Sequence, residues 1–207
     1  LNHQEPDRVP VYPLINSVSM QTLGIDYEEW SKDVDKCAES IIRATDEIGV
    51  DAICTLIALS VEAADWGQKV VYSPKNAAHP DMDDRLLKSE DDYDKVEIID
   101  PRETPRMSEH IELAKKLYEA RGQEKPIIGF VFGPLGVLSM MRGQEQMFYD
   151  MIKCPDKMNQ ALHNITETLK EFAIALIESG CHAIMFDTLY SSKTILSPKM
   201  WDKVEGP

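Results

Sequence analysis

Apolar residues follow two rhythms along the chain. Short, nearly continuous apolar runs at Val50 to Leu59, Ile127 to Phe132 and His182 to Leu189 predict strands covered on both faces, as in a parallel sheet. A fourth run, Arg8 to Ile15, is β-prone, but Pro10 and Pro13 confine it to a place where two backbone donors are not needed. Between these runs the apolar positions recur at helical spacing. Cys37, Ile41, Ile42, Ala44 and Ile48 mark a helix over Asp33 to Ile48, preceded by a short one over Asp26 to Trp30. Ile111, Leu113, Ala114 and Leu117 mark another from Thr104 to Arg121. Gln144 to Lys153 predicts a short helix, Pro155 to Ser179 a long one, and Ser197 and Pro198 open a last one. Gly49, Gly122 and Gly180 stand where three of these must stop.

The order is strand, helix, strand, repeated, and four such strands predict the first half of a (βα)8 TIM barrel, since a complete one needs about 250 residues. The chain of 207 residues is then one domain, the N-terminal part of such a barrel, with residues 68–100 as a surface excursion carrying at most a hairpin around Lys69 to Tyr72. A half-barrel leaves a sheet edge and an apolar interior uncovered, so a homo-oligomer or pairing with a second half-barrel is expected. The start at Leu1 and the end one short helix after a strand predict a fragment of a longer chain.

Chemistry concentrates where strands end. The stretch PIIGFVFGPLGVLSMMRG, Pro126 to Gly143, joins a strand, a Gly133-Pro134 turn and a helix start, the junction at which α/β proteins place ligands. It lacks the Gly-Lys-Ser/Thr ending of a phosphate loop, which discounts nucleotide binding. Asn16, Glu62, Ser139 and Asp187 each follow or end a predicted strand and are candidates to converge at a barrel mouth. Glu62 and Asp187 are the candidate catalytic carboxylates. Glu62 serves equally as an acid at a helix N-terminus, whereas Asp187, after the apolar run AIMF, must be hydrogen-bonded or face a cavity. Asn16, Phe132, Ser139, Met140 and Tyr190 are the candidate substrate contacts, although methionines on helices usually fill cores and serines usually bond helix carbonyls.

Composition narrows the partners. With 22 Lys and Arg against 36 Asp and Glu, the formal charge of -14 repels nucleic acid and anionic membranes, leaving room only for a local basic patch. The run Asp81, Asp83, Asp84, Glu90, Asp91, Asp92 and Asp94 lacks the alternation and central glycine of an EF-hand and predicts a solvated acidic face. Cys37, Cys54, Cys154 and Cys181 form no CxxC pair, which fits a reducing, cytoplasmic setting. No apolar run is long enough for a membrane span.

DRVPVYP near the start, SVEAADWG after the second strand, GFVFGPLGVLSMMRG after the third and FDTLYSSKTILSP after the fourth resemble the uroporphyrinogen decarboxylase superfamily, which includes corrinoid-dependent methyltransferases such as methylcobamide:coenzyme M methyltransferases. Within it, decarboxylases carry an arginine-rich RQAGRY-like first loop and an SDI-like aspartate after strand two. Here the first loop reads NSVSMQ, Asn16 to Gln21, without an arginine, and SVEAADWG is closer to the TVEAEAxG form of the methyltransferase branch. The resemblance thus implies methyl transfer between a methylated corrinoid, free or on a partner corrinoid protein, and a thiol or similar small-molecule acceptor. The alternatives are uroporphyrinogen decarboxylase activity in porphyrin biosynthesis, which needs no metal or cofactor, and a non-catalytic half-barrel that binds a partner chain. In the methyltransferase branch a zinc ion activates the thiol, through a His-x-Cys pair and a later Cys in the second half of the barrel. No His-x-Cys occurs in this chain, so zinc is expected only with that second half. Cys181 and His182, adjacent on a strand, point to opposite faces and should not share a metal.

Overall fold

The computed structural model describes residues 5–74 and 76–204; the reading that rests on Leu1 lies outside them. Three parallel strands form the sheet, in the order β1 (Ile53–Cys54), β4 (Ile127–Phe132), β5 (Ala183–Asp187), with Ile53 opposite Ile127 and Ile128 opposite Ala183. Their helices lie on one side: α2 (Val34–Ile48), α4 (Pro105–Arg121) and α7 (Pro155–Glu178) pack in succession, and α4 and α7 cover β4. Strand order equal to chain order, with helices outside, is the arrangement of consecutive units in a (βα) barrel. The β4 run expected from its apolar pattern ends at the expected residue, and Pro134 opens α5 (Pro134–Arg142) immediately after it. Gly49 caps α2 in the left-handed region (φ 74°), as a helix stop requires.

Two expectations on strands are corrected. Arg8 to Ile15 forms no strand: its one backbone tie to this region is the Asp51 amide donating to the Val11 carbonyl, while the Val11 amide donates to the Asp51 carboxylate at 2.6 Å. Two prolines leave too few donors for a ladder. The second strand shrinks from the predicted Val50 to Leu59 to two residues, and the reason lies in one side chain. The Thr55 amide still donates to the Ile128 carbonyl, but the next ladder donor of β4, the Phe130 amide, goes to Thr55 Oγ1 at 3.2 Å instead of to a carbonyl. A side-chain oxygen replaces the backbone partner, and the strands part. Thr55 Oγ1 also pairs with His110 Nε2 of α4 at 2.7 Å, both groups fully buried. Burial pushes the His110 pKa down to about 3, helped by Arg106, so the ring is neutral throughout the physiological range.

Alternation assigns the two faces of β4. A Cβ on Gly129 would meet Leu176 of α7, so Ile127, Gly129 and Val131 face the helices, where only a glycine lets β5 and α7 approach this closely. Ile128, Phe130 and Phe132 face away, with the two phenylalanine rings edge-to-face at 5.0 Å. The edge strand β5 is less covered than β4: every residue is at least partly exposed, Phe186 by 47%.

Residues 68–100 run over the surface as predicted only in part. Val70–Val71 (β2) and His79–Pro80 (β3) pair as an antiparallel hairpin, while Leu87, Tyr93 and Val96 are buried in the core. A polar pin holds this segment down. Asp150 of α6 (Gln144–Lys153) accepts from the Tyr93 hydroxyl at 2.8 Å and from Arg142 Nε at 2.7 Å, and Arg142 Nη1 donates to the Leu87 carbonyl. All members are buried, and Asp150, Tyr93 and two of the three Arg142 nitrogens find partners within the network, as buried polar groups require.

The Thr55 bridge is testable. Thr55→Val keeps the shape but leaves the Phe130 amide and one His110 nitrogen buried without a partner, so urea unfolding should show a loss of roughly 1–3 kcal/mol at unchanged m-value. A loss below about 0.5 kcal/mol would show that the bridge does not hold the sheet.

Candidate functional site

The carboxyl ends of the strands gather several of the expected residues into a row. Where β1 and β4 part, α3 (Val61–Asp65) inserts Glu62, whose Oε1 accepts the Phe132 amide at 3.1 Å. This is the next β4 donor after Phe130 on that side, so a carboxylate occupies the place of a ladder carbonyl. On the other side of Phe132 stands Asp187, its register partner on β5, whose carbonyl accepts the Gly133 amide at 2.8 Å. Glu62 and Asp187 thus flank Phe132. Asp187 is half-buried at the strand end, whereas Glu62 is 2% exposed.

Burial sets the chemistry of Glu62. Removing its carboxylate from water pushes the pKa up to about 7, Asp65 adding to the rise, against the opposing pull of its own amide and that of Phe132. A carboxyl poised near neutrality can give or take a proton at working pH. Asp65, three residues on, has a structural duty instead: its carboxylate accepts the Arg106 and Met107 amides at 2.9 and 2.7 Å, capping α4 from another element where Thr104 provides no side-chain cap.

Asn16 begins the 3-10 helix Asn16–Thr22 and reaches the end of the β1 segment, donating from Nδ2 to the Leu56 carbonyl at 2.7 Å. Because a carbonyl can only accept, this bond fixes the amide orientation and turns Oδ1 away, where it is buried without a donor among the described residues. Beside it lies a hollow of about 140 Å³ walled by Asn16, Ser17, Leu14, Tyr27, Trp30 and Leu56 to Leu59, none of them charged. Cys54, the last residue of β1, is buried on the same side of the sheet as Ile128. Burial pushes its thiol up, against the donors of Leu56, Tyr12 and Asn16 around it.

The other candidates stand apart from this row. Ser139 is buried in α5 with its hydroxyl donating to the Gly136 carbonyl at 2.6 Å, the local bond expected of a helical serine. Met140 packs against the core and offers its carbonyl to Arg85. Tyr190 follows β5 with a positive φ of 70°, and its ring meets Phe148 of α6 edge-to-face at 5.8 Å. Cys181 and His182 precede the strand, which starts at Ala183. Cys181 is buried, its thiol pushed up to about 12 by burial, while His182 is exposed, with Nδ1 accepting the Ile127 amide at 3.0 Å. Among the described residues no three His, Cys, Asp or Glu side chains gather to hold a metal, so these residues do not fit a zinc site. Thr55 and Asp65 carry tertiary roles that sequence reasoning missed. The signal for Thr55 was its being a polar residue in the middle of the apolar stretch Ile53 to Leu59; Asp65 had none.

An arc of parallel strands in chain order with helices outside is part of a TIM-barrel fold, in which ligand sites lie at the strands' carboxyl ends. The model of the uroporphyrinogen decarboxylase (URO-D) family matches residues 1–207, and the chain belongs to that family. Among solved structures it is similar to a methyltransferase from Methanosarcina mazei, with a TM-score of 0.84 at 20% identity over 98% of this chain. The chain spans 60% of that structure's length, so the fold corresponds to part of a URO-D-type barrel. A search of curated proteins finds no match. No helix among the described residues is long and apolar enough to cross a membrane.

The buried carboxyl gives a pH test. Its folded pKa lies above the ordinary 4.5, so the stability it contributes is fully present below pH 4.5 and is lost as pH rises through about 7. Glu62→Gln keeps an acceptor for the Phe132 amide and removes the titration. Between pH 5 and 8 the variant should gain roughly 2–2.5 kcal/mol on the parent in urea unfolding. A constant offset between the two proteins would mean that Glu62 titrates normally.

Proposed function

We propose that this chain is the N-terminal part of a corrinoid-dependent methyltransferase, moving a methyl group from a methylated corrinoid, free or on a partner corrinoid protein, to a thiol or similar acceptor. The observation that carries the choice of branch is the neutral hollow beside Asn16. A porphyrinogen bearing many carboxylates needs cations at the first loop, and neither the loop Asn16 to Gln21 nor the walls of the hollow supply one. The similar structure from Methanosarcina mazei is that of a methyltransferase, which supports the same branch.

In this reading Glu62 takes the proton of the acceptor as its sulfur bonds to the methyl carbon. The bond from that carbon to cobalt breaks, and its electron pair leaves with the corrinoid. A carboxyl with a pKa of about 7 is matched to this duty, being a stronger base than an exposed glutamate while still ionised in half the molecules at neutrality. Phe132 and the half-buried Asp187 stand beside it at the strand ends. The zinc of the family's methyltransferase branch would be held by residues other than those described.

The natural protein should therefore show an intact mass well above 23.5 kDa with about one zinc per chain, and should transfer methyl groups from methylcobalamin to a thiol without decarboxylating uroporphyrinogen. Glu62→Gln should lower the transfer rate roughly 10²- to 10⁴-fold and abolish the pH inflection near 7. Decarboxylation of uroporphyrinogen, or an unchanged rate in the variant, would sink this assignment.

A further inference from the structure

Arg85 is unusual in so acidic a protein. Among the described residues every other arginine has a carboxylate within 4 Å, whereas Arg85 has none. Its Nη1 is anchored on the Met140 carbonyl at 2.6 Å, its Nη2 meets only the Met82 thioether, a weak acceptor, and Nε has no acceptor. That Nε lies 3.9 Å from where a Cβ of Gly143 would be, so the guanidinium rests on the glycine that opens α6.

The first turn of α6 has no side-chain cap, and the amides of Gln144, Glu145 and Gln146 have no acceptor among the described residues. Arg142 completes the wall. It is only 8% exposed, its Nε and Nη1 are bound to Asp150 and Leu87, and its Nη2 has no acceptor yet is not sealed from solvent. These groups line one open hollow of about 500 Å³, together with Phe148 and the Glu145 side chain, the only carboxylate on its rim.

We propose that this hollow binds a small tetrahedral oxyanion, such as a phosphate or sulfonate group. The lining residues hold three sets of unspent donors: the Arg85 edge, Arg142 Nη2 and the α6 amides. A planar carboxylate can use one or two of them at once, and a tetrahedral dianion can use all three. The helix terminus alone would be ordinary; the buried Arg142, held in place by Asp150 with one nitrogen left over, and the unpaired Arg85 set it apart. Phe148, on the rim, also carries Tyr190 from the end of β5, so the bound anion would sit beside the barrel mouth. The site stands whether or not the protein transfers methyl groups.

Sodium sulfate titrated into the ¹⁵N-labelled protein, with sodium chloride at equal ionic strength as reference, tests the site by NMR. Saturable shifts are expected at the Gln144, Glu145 and Gln146 amides and at Arg85 Nε, with chloride and acetate at least tenfold weaker than sulfate. Arg85→Gln should weaken sulfate at least tenfold while the rest of the spectrum is unchanged. Lys153→Gln, at the exposed far end of α6, should stay within twofold of the parent. Shifts that follow ionic strength alone, acetate binding as well as sulfate, or undiminished sulfate binding in Arg85→Gln would each overturn the proposal.

Discussion

The structure turns on the parting of β1 from β4. A parallel ladder needs one carbonyl for each donor, and after Thr55 the β1 segment no longer supplies them. Two side chains take over, Thr55 for the Phe130 amide and Glu62 for the Phe132 amide. Each is itself held from outside the sheet, Thr55 by His110 of α4 and Glu62 by the short helix α3. Buried backbone donors therefore stay paired while the sheet opens, and the gap becomes the seat of a buried carboxyl.

That origin explains why Glu62 combines a structural bond with an unusual acidity. An exposed glutamate at a helix start would stabilise the helix dipole and remain an ordinary acid. Here the carboxyl has left water to meet one backbone amide, and a single neutral donor does not offset the lost hydration of a full charge. The rise in pKa is the direct result, and it turns a ladder substitute into a group capable of proton transfer. Asp187, at the more open edge strand, has no such seat.

Charge is arranged on the same principle of local pairing within a chain of -14. The acid-rich segment 68–100 is more than a solvated face. Its apolar residues Leu87, Tyr93 and Val96 enter the core, and the Tyr93–Asp150–Arg142 network joins it to α5 and α6. Removing one partner of such a buried pair leaves an uncompensated charge, typically costing roughly 3–5 kcal/mol, so the segment and the two helices are bound into one unit. Because Asp150 neutralises Arg142 while Arg85 has no carboxylate within ion-pair distance among the described residues, Arg85 keeps its donors unspent in a protein whose average field is negative.

The sequence by itself determined most of the elements. Helical spacing located α2, α4, α6 and α7, the apolar runs located β4 and β5, and Gly49 and Pro134 set element boundaries, because these signals are local: side-chain periodicity, left-handed backbone and a missing donor. It also placed Glu62, Phe132 and Asp187 at strand ends, whereas Asn16 was expected after a strand that does not form. What it could not determine was which backbone donors each strand would lose. Pro10 and Pro13 weakened the first run visibly, but the shortening of β1 depended on where Thr55 and Glu62 pointed once β4 lay beside them. The cap supplied by Asp65, the spending of Ser139 on its own helix and the meeting of Arg85 with Gly143 are likewise contacts between residues far apart in sequence or set by packing. Only the tertiary structure decided them, since a hydrogen bond's partner is fixed by distance in space, and spacing along the chain records that only within a helix turn or a strand pair.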